Sequence, residues 1–322
     1  MRNRDLVAGF ALIILALVLL PLTAGRAGAA ESYPKRPITV IVPYMPGGLV
    51  DMAARPFAEA MSKELGVPVV VTPTPGAGGV VGTTKALSAK PNGYTLLLAS
   101  DITFVYHPLL RKVQYTPEDN RPIYGVLQAI TILAASKKNA KFQSFEDFIA
   151  YAKNNPGQVT VGMTGMKSIH FGLTKRLETI YGIKVQAVPF DGGVQVSNAI
   201  VSGHVDTGFT EVITNADLLP LVVTSGKNDY LKGARDFEDL GKPELRMAIG
   251  YHLSAHKDVP EKYCAILEAA AAKASHDPTY LKVLESVSAL PYRAGKDAIL
   301  KETARERDLL QQLINEGQIA PD

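Results

Sequence analysis

The chain has 322 residues with 34 Lys and Arg against 31 Asp and Glu, a formal charge of +3, and it is 47% hydrophobic. This balance suits a globular core under a solvated surface and leaves no basic footprint for nucleic acid or an anionic membrane. A single cysteine, Cys264, excludes an intrachain disulfide and a Cys-rich metal site built by one chain.

Residues 1–30 read as a signal peptide. Arg2 and Arg4 precede an apolar run from Leu6 to Leu22, and Ala27–Gly28–Ala29–Ala30 supplies the small residues of a cleavage site. Cleavage near Ala29 or Ala30 predicts a periplasmic protein with a formal charge of +1. The rival is an uncleaved anchor, for which the apolar run sits near the lower spanning limit. No cysteine stands near the site to carry a lipid.

The next segment is the most informative. Ile38–Val42 is a β-branched run that predicts a buried strand, stopped by Pro43. Pro46–Gly47–Gly48 follows, where two missing side chains let a ligand approach bare backbone. Asp51 to Leu65 predicts a helix with Phe57, Met61 and Leu65 on one face, closed by Gly66. A glycine turn opening a helix leaves N–H groups free to hold an anion, although a tight turn without a ligand explains the same residues.

Further along, strand and helix signals alternate. Val69–Thr72 predicts a strand ending in Pro73–Thr74–Pro75–Gly76–Ala77–Gly78–Gly79, then a helix to about Ala89, then a strand at Tyr94–Ala99. Ser144 caps a predicted helix through Ala152, Val159–Thr164 a strand, and Ser168 caps a helix closed by Gly182. Lys184–Phe190, Val205–Phe209 and Leu221–Thr224 read as strands, with a helix at Val194–Val201. Asp258–Glu261 is expected to cap a helix holding Cys264 in the core, Asp277–Pro278 starts the next, and Asp297–Glu316 forms the last. The alternation predicts α/β architecture with largely parallel sheets and helices on both faces. Tyr124–Ser136 and Arg246–His256 are the expected domain crossings. They divide the chain into one lobe of residues 31–133 plus 246–322 and another of 134–245, with a ligand cleft between them.

Catalytic constellations are hard to find. Gly76–Val81 fails the dinucleotide fingerprint because Val81 takes the third glycine's place, and no phosphate loop is present. His252 and His256 have zinc-pair spacing, but Leu253 stands where a general-base Glu belongs, so they read as strand and loop histidines. Ser168 and His170 lie too close in sequence to form a nucleophile–base pair, and read structurally as a cap and a first-turn residue. No catalytic residue, metal ligand or cofactor is assigned.

Several motifs in order bring the chain close to a known family. These are Tyr33-Pro-x-x-Pro37, Pro46-Gly-Gly48-x-x-Asp51 with Arg55, Pro75-Gly-Ala-Gly-Gly79, and Pro91-Asn-Gly-Tyr-Thr-Leu-Leu-Leu98. Ser168-x-His170, Val188-Pro-Phe-x-Gly192, Gly203-x-Val205-Asp206 and Val222-Val-Thr-Ser225 complete the set. Over residues 33–316 the chain resembles the periplasmic solute receptors of tripartite tricarboxylate transporters, the Bug family. The resemblance implies a two-lobed periplasmic-binding-protein fold, not an enzyme, that closes on a small organic carboxylate and delivers it to the membrane components of a transporter. A monomer is expected. The resemblance places Tyr44, Gly47 and Gly48 at the ligand carboxylate, partly through waters, with Asp51 fixing the helix end. Gly76, Ala77, Gly78 and Gly79 form a second loop, and Ser100 and Thr103 follow the third strand. Gly165, Ser168, His170, Asp191 and Gly192 face the cleft from the second lobe. The alternatives are a ligand sensor for a membrane signalling protein and an exported hydrolase or isomerase of similar shape.

The sequence departs from the family at Pro56, which is expected to kink the first helix, and at three acids. Asp101, Asp191 and Glu211 stand where small, basic or amide residues are usual. Asp101 is expected at a solvated rim. Asp191 is expected at the ligand, where it would select an acid that also carries hydrogen-bond donors.

Overall fold

Two sheets are built from short apolar strands, several of them followed by an amphipathic helix. The computed structural model describes residues 33–166, 168–211, 213 and 215–321, and the expected signal peptide lies outside them. In chain order the first unit is β1 (Ile38–Val42), α1 (Leu49–Leu65), β2 (Val69–Pro73), α2 (Val80–Leu87) and β3 (Thr95–Ser100). β1 pairs in parallel with both β2 and β3, Val40 lying opposite Val71 and Leu96. Their carboxyl ends therefore share one edge. α1 buries Phe57 and Met61, each stabilising the fold by about 1.5–3 kcal/mol. It runs unbroken through Pro56, whose missing N–H falls opposite the exposed Met52. Gly66 ends it in the left-handed conformation.

β4 (Asn120–Ala129) continues this first sheet, and the chain then enters the second at β5 (Ile132–Ser136). The second sheet adds α3 (Phe145–Asn154), β6 (Val159–Met163), α4 (Ile169–Tyr181), β7 (Val185–Pro189), α5 (Gly193–Val201), β8 (Thr207–Thr210) and β9 (Leu218–Val223). β10 (Ile249–His256) returns to the first sheet, followed by α6 (Glu261–Ala274), α7 (Pro278–Ser286), β11 (Ala289–Pro291) and α8 (Lys296–Asn315). The orders are β11-β4-β10-β3-β1-β2 and β7-β6-β8-β5-β9.

Both sheets are mixed rather than largely parallel. β10 runs antiparallel to β3 and β4, β11 is antiparallel to β4, and β5 is antiparallel to β8 and β9. The segments expected to be crossings are themselves strands, β4, β5 and β10, and they pair antiparallel with each other or with their neighbours. β5 lies wholly in the second sheet, so the passage falls at Ile130–Thr131, just ahead of the expected break at 133/134. There Thr224 and Ser225 clasp Thr131, one donating its hydroxyl to the Thr131 carbonyl and the other accepting its N–H.

From Arg36 onward the chain forms one compact unit. α8 joins the sheets: Leu310 and Leu313 share a core with Leu173 and Leu177 of α4, while Ile299 is buried near its start. Ser144, Ser168 and Asp277 cap their helices as expected. Asp258 does not. Pro260, with its fixed φ, takes the cap position of α6, and Asp258 lies two residues too early to reach the first-turn N–H groups. Cys264 is buried, and His252 and His256 both lie in β10.

Candidate functional site

The parallel strands bring three loops of the first sheet to one edge. After β1, Tyr44 turns back and its phenol lies 3.0 Å from Ser100 Oγ, while the Ser100 N–H donates to the phenol oxygen at 3.1 Å. Burial pushes the Tyr44 phenol up, and these Ser100 contacts partly offset it. Tyr251, opposite Ser100 in the β3–β10 pair, meets the Tyr44 ring edge-on at 5.9 Å. Gly47 has a φ of +77°, which an L side chain resists, and its N–H donates to Asp51 Oδ2 at 2.9 Å. Asp51 is 2% exposed and receives the Arg55 guanidinium at 2.9 Å. That ion pair neutralises the acid while it holds the turn. Gly48 caps α1 without a side chain, so the first-turn N–H groups lack an intrahelical acceptor and present positive charge.

The second loop is a run of left-handed backbone at Gly76, Ala77, Gly78 and Gly79, opening into α2. His107 Nε2 lies 2.9 Å from the Gly78 carbonyl, and because a carbonyl only accepts, His107 carries its proton there. Burial keeps that imidazole's pKa low. Nothing in the sequence pointed to His107, which meets Gly78 across 29 positions. Thr103 is fully buried and gives its hydroxyl to the Ser100 carbonyl at 2.7 Å, so it braces the third loop from beneath.

Asp101 is not at a solvated rim. It is 9% exposed and accepts the Thr303 hydroxyl of α8 at 2.7 Å, because the residue after β3 turns inward beneath the last helix. Burial raises its carboxyl to about 7, with Thr303 opposing and Glu302 and Glu306 adding to the rise.

In the second sheet, β6, β7 and β8 also end at one edge, since β6 runs parallel to both others. Gly165 sits in the β6–α4 loop with φ +89°. The Ser168 hydroxyl accepts the Phe171 N–H at 3.2 Å, a cap. His170 is 1% exposed, stacked flat on Phe209 at 5.2 Å, with Nδ1 3.0 Å from Thr164 Oγ1. Burial lowers its pKa to about 4, so it is neutral at physiological pH. Gly192 caps α5 without a side chain, and Asp191 before it is exposed. Glu211, just past β8, lies with Oε1 3.7 Å from His170 Nε2, and Oε2 sits where a side chain at Gly193 would collide with it.

Tyr251 lies beside the first of these edges, against Tyr44 and Ser100. Its phenol is pushed up by burial first, then by the Tyr44 phenol of one side and the Glu211 carboxylate of the other. Apolar side chains also stand open on these loops, among them Met45 at 66% exposure and Val194 at 61%. A group of His, Cys, Asp and Glu able to hold a metal ion does not occur among the described residues. No helix among them is long and apolar enough to cross a membrane.

Comparison with known proteins gives the arrangement a setting. Residues 53–317 match the family model described as "Tripartite tricarboxylate transporter family receptor". The protein BugT of Bordetella pertussis is 29% identical over 287 residues, spanning 85% of this chain and 88% of its own. A solved structure described as a periplasmic transporter is 28% identical and superposes with a TM-score of 0.76 over 90% of this chain and all of its own. A TctC solute-binding protein from Polaromonas, solved without ligand, is 27% identical, with a TM-score of 0.75 over 88% of this chain and all of that one.

Proposed function

The chain belongs to the tripartite tricarboxylate transporter receptor family, and on that footing we propose that it captures a small organic carboxylate in the periplasm for a membrane transporter. Residues 31–133 with 246–322 form one lobe and 134–245 the other, with the cleft between the two strand edges. The carboxylate sits on the first lobe, against Tyr44, Gly47, Gly48, the Gly76–Gly79 loop and Ser100. Gly165, His170, Asp191 and Gly192 close on it from the second lobe, while Asp51, Thr103 and Ser168 hold the loops in shape.

The observation that carries this reading is the uncapped start of α1 behind Gly48, with its nearby acid neutralised by Arg55. Such a helix start takes an anion without a cationic side chain. The exposed Met45 and Val194 supply apolar walls that closure would cover.

Three measurements test the proposal. Mass spectrometry of the periplasmic fraction should find a mature N-terminus near Ala30 or Glu31, and mass analysis of protein purified from the native host should release an organic acid. Calorimetry with saturated and hydroxylated acids should then show binding without turnover. A membrane-retained leader, or consumption of the acid, would overturn it.

A further inference from the structure

The second lobe's helix start differs from the first in one respect. Behind Gly192, α5 is uncapped by any side chain of its own, as α1 is behind Gly48. Yet the Glu211 carboxylate, brought in at the end of β8, lies directly over Gly193. This is the place a second ligand carboxylate would take. Glu211 has 24% of its side chain exposed, so it is neither sealed in the core nor free in water. Its near neighbour, His170 Nε2, is 3.7 Å away, beyond hydrogen-bond distance. That nitrogen is buried and has no hydrogen-bond partner among the described residues.

These positions carry a consequence for the ligand, and it rests on the receptor reading above. We infer that Glu211 selects a monocarboxylic acid bearing a hydrogen-bond donor, an ammonium or hydroxyl group, at its far end, and turns away plain dicarboxylates. The first lobe receives the anion on backbone N–H groups. The second lobe meets the other end with a carboxylate of its own, held over Gly193 beside His170. Two carboxylates in that space repel, while an ammonium or hydroxyl donates to Glu211. Where Nδ1 donates to the Thr164 hydroxyl, Nε2 is left an acceptor, and the same ligand donor would serve it. Nε2 and Oε1 lie beyond hydrogen-bond distance, so the pair leaves that nitrogen unpartnered. Burial leaves His170 uncharged and also pushes the Glu211 carboxyl up, its own backbone N–H opposing, so a donor from the ligand is what would favour its charged form.

The test uses ligand-free full-length mature protein and acids of matched length: succinate, 4-aminobutyrate and 4-hydroxybutyrate, then glutarate, 5-aminovalerate and 5-hydroxyvalerate. Calorimetry should show the amino or hydroxy acid of at least one length bound about tenfold more tightly than the matching diacid. Glu211→Gln keeps the shape and removes the charge, so it should narrow or invert that preference. Glu211→Asp keeps the charge and should retain it, which guards against a folding defect in the first variant. Diacids bound most tightly by the wild type, with Glu211→Gln unchanged, would overturn this inference and leave the receptor reading standing. Failure of every acid to bind would overturn the receptor reading and this inference with it.

Discussion

Two helix starts in this molecule, those of α1 and α5, open without a side-chain cap, and they differ in how an acid is used. At α1, Asp51 belongs to the helix's own first turn, accepts the Gly47 N–H and is neutralised by Arg55. At α5, Glu211 arrives from another strand end, lies over Gly193 and has a neutral imidazole for company. The first acid therefore shapes a loop and leaves the helix's positive end free. The second occupies a helix end itself. A glycine turn before a helix is thus not a fixed function: what stands in front of it decides whether it takes an anion or presents one.

The sharpest way to break this comparison is at Gly48. Its φ is −76°, which any residue adopts, and an added Cβ would meet only the Met45 carbonyl, at 3.3 Å. Gly48→Val should therefore fold. It should lose about 2–4 kcal/mol of affinity for whichever acid the wild type binds, since a shielded helix end leaves ligand oxygens without donors. Calorimetry giving the wild-type affinity would remove the α1 start from the site, and the contrast with α5 would go with it.

Asp101 offers a second test, because the basic side chain beside it, His252 at 3.7 Å, is kept neutral by burial. Its folded pKa, about 7, lies above the unfolded value, so the neutral form favours the fold. That contribution is full at pH near 4 and is lost as pH rises to 7. Glu306, raised to about 7 by burial, acts in the same direction. His170 and His252 act oppositely: burial lowers them to about 4 and 3, so their contribution is full above pH 6.5 and is lost as pH falls. The wild type should then show a shallow stability profile between pH 4.5 and 6.5. Asp101→Asn should match it at pH 4.5 and exceed it by about 1–3 kcal/mol at pH 8, since each pKa unit corresponds to about 1.4 kcal/mol. Urea melts across that range measure the gap. Curves that stay parallel would mean that Asp101 is solvated after all.

Much of the local architecture was legible in the sequence because it is local. Gly66 and Gly182 end helices in left-handed backbone, and Ser144 and Asp277 cap neighbours two or three residues away. What was hidden depends on distance along the chain. Asp101 finds Thr303 across 202 positions, and no pattern around Asp101 announces a buried partner. Glu211 meets His170 only because β8 runs parallel to β6, a pairing that hydrophobic runs alone do not reveal. The antiparallel crossing strands were missed for a similar reason: a β-branched run predicts a strand, and its direction is set by where the chain has just been.

Ser168 gives the smallest effect and the finest cut. Its hydroxyl accepts the Phe171 N–H, so α4, unlike α1 and α5, begins with a side-chain cap. The family motif puts this serine at the ligand, yet a hydroxyl also has one proton to donate, so capping alone does not remove it from the site. The comparison of helix starts decides the expectation. On the proposed reading, ligand groups go to the uncapped starts, and a capped one is structural. Ser168→Ala should lower stability by about 1 kcal/mol and leave affinity within about twofold. Ser168→Asp keeps the acceptor over the helix start and should recover the stability. A tenfold loss of affinity in Ser168→Ala, with stability lost as expected, would place the hydroxyl on the ligand. Capped and uncapped starts would then share the binding, and the distinction between them would no longer predict where the ligand lies.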